Sequence, residues 1–132
     1  MGVRRARLGL LLWALAAALL SCARVRPPGG GEVDTVPARL AGGRPADGSL
    51  GTGRLGEVLL TFSEPVERAS VLMALRVEPP RPPRSLRWSG DTLLALRFWE
   101  PLPAATSMDV YLVPGWRDRH RVPQPDWQVL SF

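Results

Sequence analysis

An all-β sandwich of six or seven short strands is expected from residue 37 onward in this chain of 132 residues. Three observations point to it. Beyond Pro37 the apolar residues come in short runs that alternate with polar ones, the period of strands with one buried face. Pro, Gly, Asp and Ser punctuate these runs at about 8–12-residue spacing, as in two-layered β domains. The chain also carries 14 Pro and 13 Gly, which leave little room for long helices outside the N-terminal segment.

The first 21 residues read as a helical export signal. Arg4, Arg5 and Arg7 form a positive head, and Leu8 to Leu20 is an unbroken run of apolar residues and Gly. That run is shorter than the ~20 apolar residues a membrane span needs, and it has the proportions of a secretory signal. It ends in Leu19-Leu20-Ser21-Cys22. These four residues resemble the bacterial lipobox, which implies that Cys22 receives a diacylglycerol and becomes the first residue after cleavage. Cys22 is the only thiol in the chain. Ala23 and Arg24 follow it, and the lack of Asp at the next position implies outer-membrane or surface placement rather than inner-membrane retention. Several acyl chains anchor stably, at about 0.8 kcal/mol per buried methylene.

Residues 22–36 read as the lipidated Cys and a flexible tether. Pro27-Pro28-Gly29-Gly30-Gly31 lies within it, and large apolar residues are few. Its 14 residues after Cys22 reach roughly 46 Å if fully extended at about 3.3 Å each. Residues 37–132 then form the domain. Pro37 to Ala41 is expected as a first edge strand, with Gly42 to Gly48 as loop. Glu57 to Phe62 is the clearest strand, with Val58, Leu60 and Phe62 on one face. Arg68 to Ala74 is expected as a short helical turn, with Ser70 as its cap. Leu75 to Glu78 alternates and stops at Pro79-Pro80. Ser85 to Trp88 follows with Leu86 and Trp88 inward. Ser89-Gly90-Asp91 turns the chain into a strand from Thr92 to Trp99, closed by Glu100-Pro101-Leu102-Pro103. Met108, Val110 and Leu112 share one face of the next strand. Pro114 to Asp126 is expected as a polar loop, and Trp127 to Phe132 as the last strand.

In this order the segments resemble a bacterial Ig-like domain of the SbsA type. The resemblance rests on Phe62-Ser63-Glu64-Pro65-Val66, on Val77-Glu78-Pro79, and on Trp88-Ser89-Gly90-Asp91-Thr92-Leu93. Pro101-Leu102-Pro103, Met108 to Leu112 and the closing strand from Trp127 complete it. Pro28-Gly29-Gly30, Asp34-Thr35, Pro37 and Pro45-Ala46-Asp47-Gly48 resemble the lead-in of lipoproteins of this type. The resemblance implies an Ig-like β-sandwich of six or seven strands. Two departures stand out. Ala105-Thr106-Ser107-Met108 replaces the family's Gly-Thr-x-Tyr, and Asp118-Arg119-His120-Arg121 lacks the Gly of its Asp-x-x-Gly-Asn loop.

The chemistry-bearing residues are sparse. One Cys and one His exclude a disulfide framework and a Cys/His zinc site built from this chain alone. His120 lies in an Arg-rich run that reads as a solvated loop, so no catalytic residue is expected. Glu64, Glu67, Asp91, Glu100, Asp109, Asp118 and Asp126 are scattered across turns, and no metal or cofactor is expected. All 17 basic residues are Arg. Loss of Arg4, Arg5 and Arg7 with the signal lowers the net charge from +5 to +2, and export removes nucleic acid as a partner. The candidate binding surface comprises Trp99, Tyr111 and Trp116 with Arg76, Arg84 and Arg87. It would suit an envelope protein or a glycan. Arg76, Arg81, Arg84 and Arg87 also serve as charged guards of exposed sheet edges. The functional expectation is a non-enzymatic, lipid-anchored envelope protein that displays its domain at a membrane.

Overall fold

The computed structural model describes residues 29–103 and 105–132. The expected signal, Cys22 and the tether through residue 28 lie outside the described residues. Every element below belongs to the compact unit Asp34–Phe132. Its architecture is all-β and sandwich-like, with seven strands and one short helix among the described residues. The strands are β1 (Leu40–Arg44), β2 (Leu55–Phe62), β3 (Leu75–Glu78), β4 (Ser85–Ser89), β5 (Leu93–Leu102), β6 (Asp109–Leu112) and β7 (Gln128–Ser131). The helix α1 spans Arg68–Ala74. One antiparallel sheet runs β1-β2-β5-β4 and the other β3-β6-β7.

The alternating apolar residues define the inner faces. In β2, Val58, Leu60 and Phe62 are buried. They oppose β5 in the register Val58↔Leu96 and Leu60↔Leu94, so buried residues meet buried residues across the ladder. In the second sheet Val110 stands between Val77 and Leu130. Met108, Val110 and Leu112 are all buried, as their alternation requires. On the outer face of the first sheet Glu57 opposes Arg97, and Arg97 Nε donates to Glu57 Oε1 at 2.6 Å. Both side chains are largely solvated, so this pair contributes a few tenths of a kcal/mol at most.

Aromatic rings fill the space between the sheets. Phe62 stacks on Trp88 at 5.9 Å between ring centroids and meets Trp116 edge-on at 5.5 Å. Such pairs add about 0.5–1.5 kcal/mol to the area they bury. The turn from β4 to β5 places Gly90 at φ 59, a left-handed conformation that costs glycine little.

The structure revises five local expectations. The first strand lies at Leu40–Arg44, not at Pro37–Ala41, and so includes two glycines assigned to loop. Ladder bonds to β2, with a bulge between Leu40 and Gly42, override the weak strand preference of Gly. Ser70 does not cap α1. Glu67 holds the N-cap position without a side-chain bond, and Ser70 Oγ instead donates to the Glu67 carbonyl and accepts from Arg117 N. Leu86 shares the inner face with Trp88, opposite Leu96, yet is exposed, because β4 is a sheet edge that the second layer does not cover there. Strand β5 continues through Pro101 to Leu102. The irregular register between Leu55 and Glu57 accommodates a residue with no N–H to donate. Finally, Pro114 to Asp126 is not a solvated loop. Trp116, Asp118 and Gln124 are buried within it.

That segment folds back on itself. Gly115 N donates to the Gln124 carbonyl at 2.8 Å, and Gln124 N to the Trp116 carbonyl at 2.7 Å. Glu67 N donates to the Arg117 carbonyl, and Arg119 N to the Pro65 carbonyl. These bonds fasten the segment to the exit of β2. Gln124 Nε2 also donates to the buried Ala38 carbonyl at 2.8 Å. Backbone groups removed from water thereby find partners.

The two sheets also close on each other where β1 passes β7. Leu40 N donates to Gln128 Oε1, and Gly48 N to the Ser131 carbonyl. Gly43 lies at the tightest point. A Cβ there would overlap the Leu130 side chain and stand 2.6 Å from the Leu59 carbonyl oxygen. Backbone cannot retreat as a flexible side chain can, so overpacking is costly. Gly43→Ala is expected to destabilise the fold by about 1–3 kcal/mol, whereas Gly42→Ala, which meets nothing within 4 Å, is expected to stay near wild type; urea unfolding of the two variants checks both.

Candidate functional site

The strands distribute the expected surface residues over both sheets rather than one patch. Trp99 projects from β5 on the outer face of the first sheet and is 73% exposed. The Arg84 guanidinium lies over its ring, 5.2 Å from the centroid, a cation–π contact between two solvated groups. Arg81, Pro82, Trp99 and Glu100 line a shallow recess of about 190 Å³ beside it. Arg87, on β4, is exposed on the same face.

Tyr111 is on the other sheet. It stands on β6 opposite Arg76 of β3 and Val129 of β7. Its half-buried ring meets Trp127 at 5.6 Å, and Trp127 is 60% exposed. Arg76 donates to the Met73 and Leu75 carbonyls, both at 2.8 Å, so its guanidinium is drawn onto its own backbone. Trp116 is not a surface residue: it is 1% exposed and packs edge-on against Phe62. Its sequence neighbours are polar, and only the backfolding of the 114–126 segment carries it inward. Trp99 and Tyr111 therefore belong to two faces, because β5 and β6 lie in different sheets.

A groove lies where the edge strands β3 and β4 approach. Leu72, Leu75, Val77, Pro80, Pro83 and Leu86 line it with Arg76, Arg81 and Pro82, around a volume of about 400 Å³. Sequence reasoning took the inward face of Leu86 to be covered and so missed this opening. It also missed Trp127 as a surface aromatic, although its place just before β7 signalled an outward start.

A second assembly joins residues from three distant parts of the chain. Asp34, Glu64 and His120 each bring one ligand atom within 4.8 Å of the others. His120 Nδ1 lies 3.1 Å from Asp34 Oδ2. Asp34 comes from the lead-in to β1, Glu64 from the turn after β2, and His120 from the tip of the 114–126 segment. The His120 side chain is 64% exposed. Partial burial, and then the neighbouring carboxylates of Asp34 and Asp118, push the Glu64 carboxyl above its ordinary value, against the pull of His120 and Arg39. Spacing along the chain carries no sign of this meeting.

Asp118 organises the loop that presents His120. Its Oδ1 accepts from Val122 N at 2.9 Å, and its own N–H donates to the Val122 carbonyl. Arg121 N closes the turn on the Asp118 carbonyl at 3.1 Å. Asp118 is 1% exposed, and its Oδ2 has no hydrogen-bond partner among the described residues. The turn requires Arg121 to adopt φ 68, which an L side chain resists by roughly 1–2 kcal/mol.

No protein-family model matches this chain, and no curated protein matches it significantly.

The strain at Arg121 is testable. Arg121→Gly is expected to stabilise the fold by about 0.5–1 kcal/mol, the relief of the left-handed conformation less the extra freedom of Gly in the unfolded chain. Arg121→Ala keeps the Cβ and is expected to show no such gain in thermal unfolding.

Proposed function

We propose that this chain is a non-enzymatic, lipid-anchored protein of the bacterial cell envelope that displays an Ig-like module of the SbsA type at a membrane surface. The observation that carries the proposal is how the aromatic residues divide. Phe62, Trp88 and Trp116 close the core, whereas Trp99 on β5 and Trp127, just ahead of β7, are exposed. A scaffold that spends large rings outward, beside Arg, is suited to contact with a partner.

Three further features support this reading. The four-plus-three antiparallel arrangement is compatible with an Ig-like sandwich. The left-handed Arg121 stands at the position where the family's Asp-x-x-Gly-Asn loop has Gly, so the backbone keeps a shape for which Gly is the natural residue. Leu19-Leu20-Ser21-Cys22 supplies the acylation address, and the tether supplies reach. The mechanism is presentation: acyl chains hold, the spacer lifts, and the rigid sheets offer their faces.

The Trp99 face favours a more specific role, an accessory module that grips an envelope glycan or protein. A flat indole stacks on a sugar ring or on an apolar side chain, and Arg84 and Arg87 beside it donate hydrogen bonds to hydroxyl or acidic groups.

Labelled palmitate is expected to enter the wild-type protein and not Cys22→Ala, which should persist as precursor; wild-type protein that takes up no label overturns the anchor. In pull-downs from envelope extracts, Trp99→Ala is expected to lose bound material that Tyr111→Ala retains. Equal recovery by wild type and both variants would reject the aromatic site and leave a purely structural module.

A further inference from the structure

We propose that Asp34, Glu64 and His120 form a binding site for one divalent transition-metal ion of the Zn²⁺ class, which fastens the lead-in segment to the domain. The donor set is one imidazole nitrogen and two carboxylates, with the ligand atoms all within 4.8 Å of one another. Ligand atoms around a tetrahedral Zn²⁺ stand about 3.4 Å apart, given Zn–N and Zn–O distances near 2.0–2.2 Å. Nδ1 of His120 and Oδ2 of Asp34 are already at 3.1 Å. Closing the site therefore takes rotamer adjustments of one exposed and two half-buried side chains that lie outside the strands. Water completes the coordination, since the site opens to solvent.

The charge balance favours a cation. Asp34 and Glu64 bring two carboxylates to one imidazole, and the buried Asp118 carboxylate also acts on Glu64. Asp118 Oδ2 has no hydrogen-bond partner among the described residues. Such crowding of carboxylates is costly without a compensating positive charge. Arg39 is the cation that acts on Glu64 alongside His120. Arg119, next to His120 in the chain, turns its guanidinium toward Asp91 Oδ2 at 3.8 Å. The imidazole selects the metal class. Ca²⁺ and Mg²⁺ prefer all-oxygen sites, whereas imidazole with carboxylate suits Zn²⁺ and its neighbours.

The site also has a structural consequence. Gln124 already holds the Ala38 carbonyl, and Ser63 Oγ accepts from Arg39 N at 3.0 Å. A metal held by Asp34 would strengthen the fastening nearest the start of the compact unit, where His120 already meets Asp34. Metal occupancy would then set how many residues ahead of β1 are free to act as spacer.

The test is calorimetric titration of ZnCl₂ into the full chain in detergent, carrying Cys22→Ser so that the thiol cannot bind metal. One equivalent of Zn²⁺ is expected to bind and to raise the thermal unfolding temperature. His120→Ala, Asp34→Asn and Glu64→Gln are each expected to weaken binding roughly tenfold or more, with near-UV circular dichroism unchanged. In ¹⁵N spectra the His120 Nδ1 resonance is expected to shift on Zn²⁺ addition while Nε2 keeps its proton. Any one of three results overturns the proposal: no saturable binding up to about 1 mM, full-strength binding retained in His120→Ala or Asp34→Asn, or displacement of Zn²⁺ by an equal concentration of Ca²⁺. Asp34→Asn is a near-isosteric change at a half-buried residue outside every strand, so the outcome does not depend on a variant that fails to fold.

Discussion

The ring of Phe62 is the contact on which the rest of this domain depends. It projects from the last position of β2, touches Trp88 at one sheet edge and meets Trp116 from the segment between β6 and β7. Without that inward Trp116, residues 114–126 would have no apolar anchor. With it, the segment lies against the exit of β2, pairs Val66 with Asp118, and carries His120 to the same end of the molecule as Asp34 and Glu64. A packing interaction in the core thus determines the address of the chain's one imidazole. The polar groups follow: Asp118 is buried because the loop that Trp116 anchors must turn tightly around it.

A second constraint acts at the β1 edge of the first sheet. Sheets pack about 10 Å apart when side chains interdigitate between them. Where β1 passes β7, the missing side chain of Gly43 lets the Leu130 side chain rest against the β1 backbone. Gln128, Ser131 and Asp47 then bridge the two layers with hydrogen bonds. The domain is closed by glycine and polar side chains on this side and by aromatic rings on the other. This suits a small chain whose single Cys, Cys22, has no second thiol with which to staple the core.

The outward surfaces divide in a way that bears on any partner. Arg84, Arg87, Arg97 and Trp99 line one sheet, and Arg76, Tyr111, Trp127 and Val129 mark the other. Between them the β3–β4 opening exposes Leu72 and Leu86. Several arginines are already engaged within the domain: Arg68 with Asp91 and Gly90, Arg97 with Glu57, Arg76 with its own backbone. Arg84 is instead held over Trp99, where cation and ring form one composite surface.

Sequence alone determined which residues alternate, and hence the buried faces of β2, β5 and β6, the helix from Arg68 to Ala74, and the turn at Gly90. These are local properties: a period of two or a helical spacing is written in neighbouring residues. Leu86 was misjudged because alternation gives a face but not whether a second layer covers it. Gly42-Gly43 was misjudged because residues without side chains carry no pattern. Only the tertiary structure decided the order of the strands in each sheet, the separation of Trp99 from Tyr111, the burial of Trp116 and the meeting of Asp34, Glu64 and His120. Each depends on contacts between segments far apart in the chain, whose free energy comes from surfaces that exist only once both partners are folded.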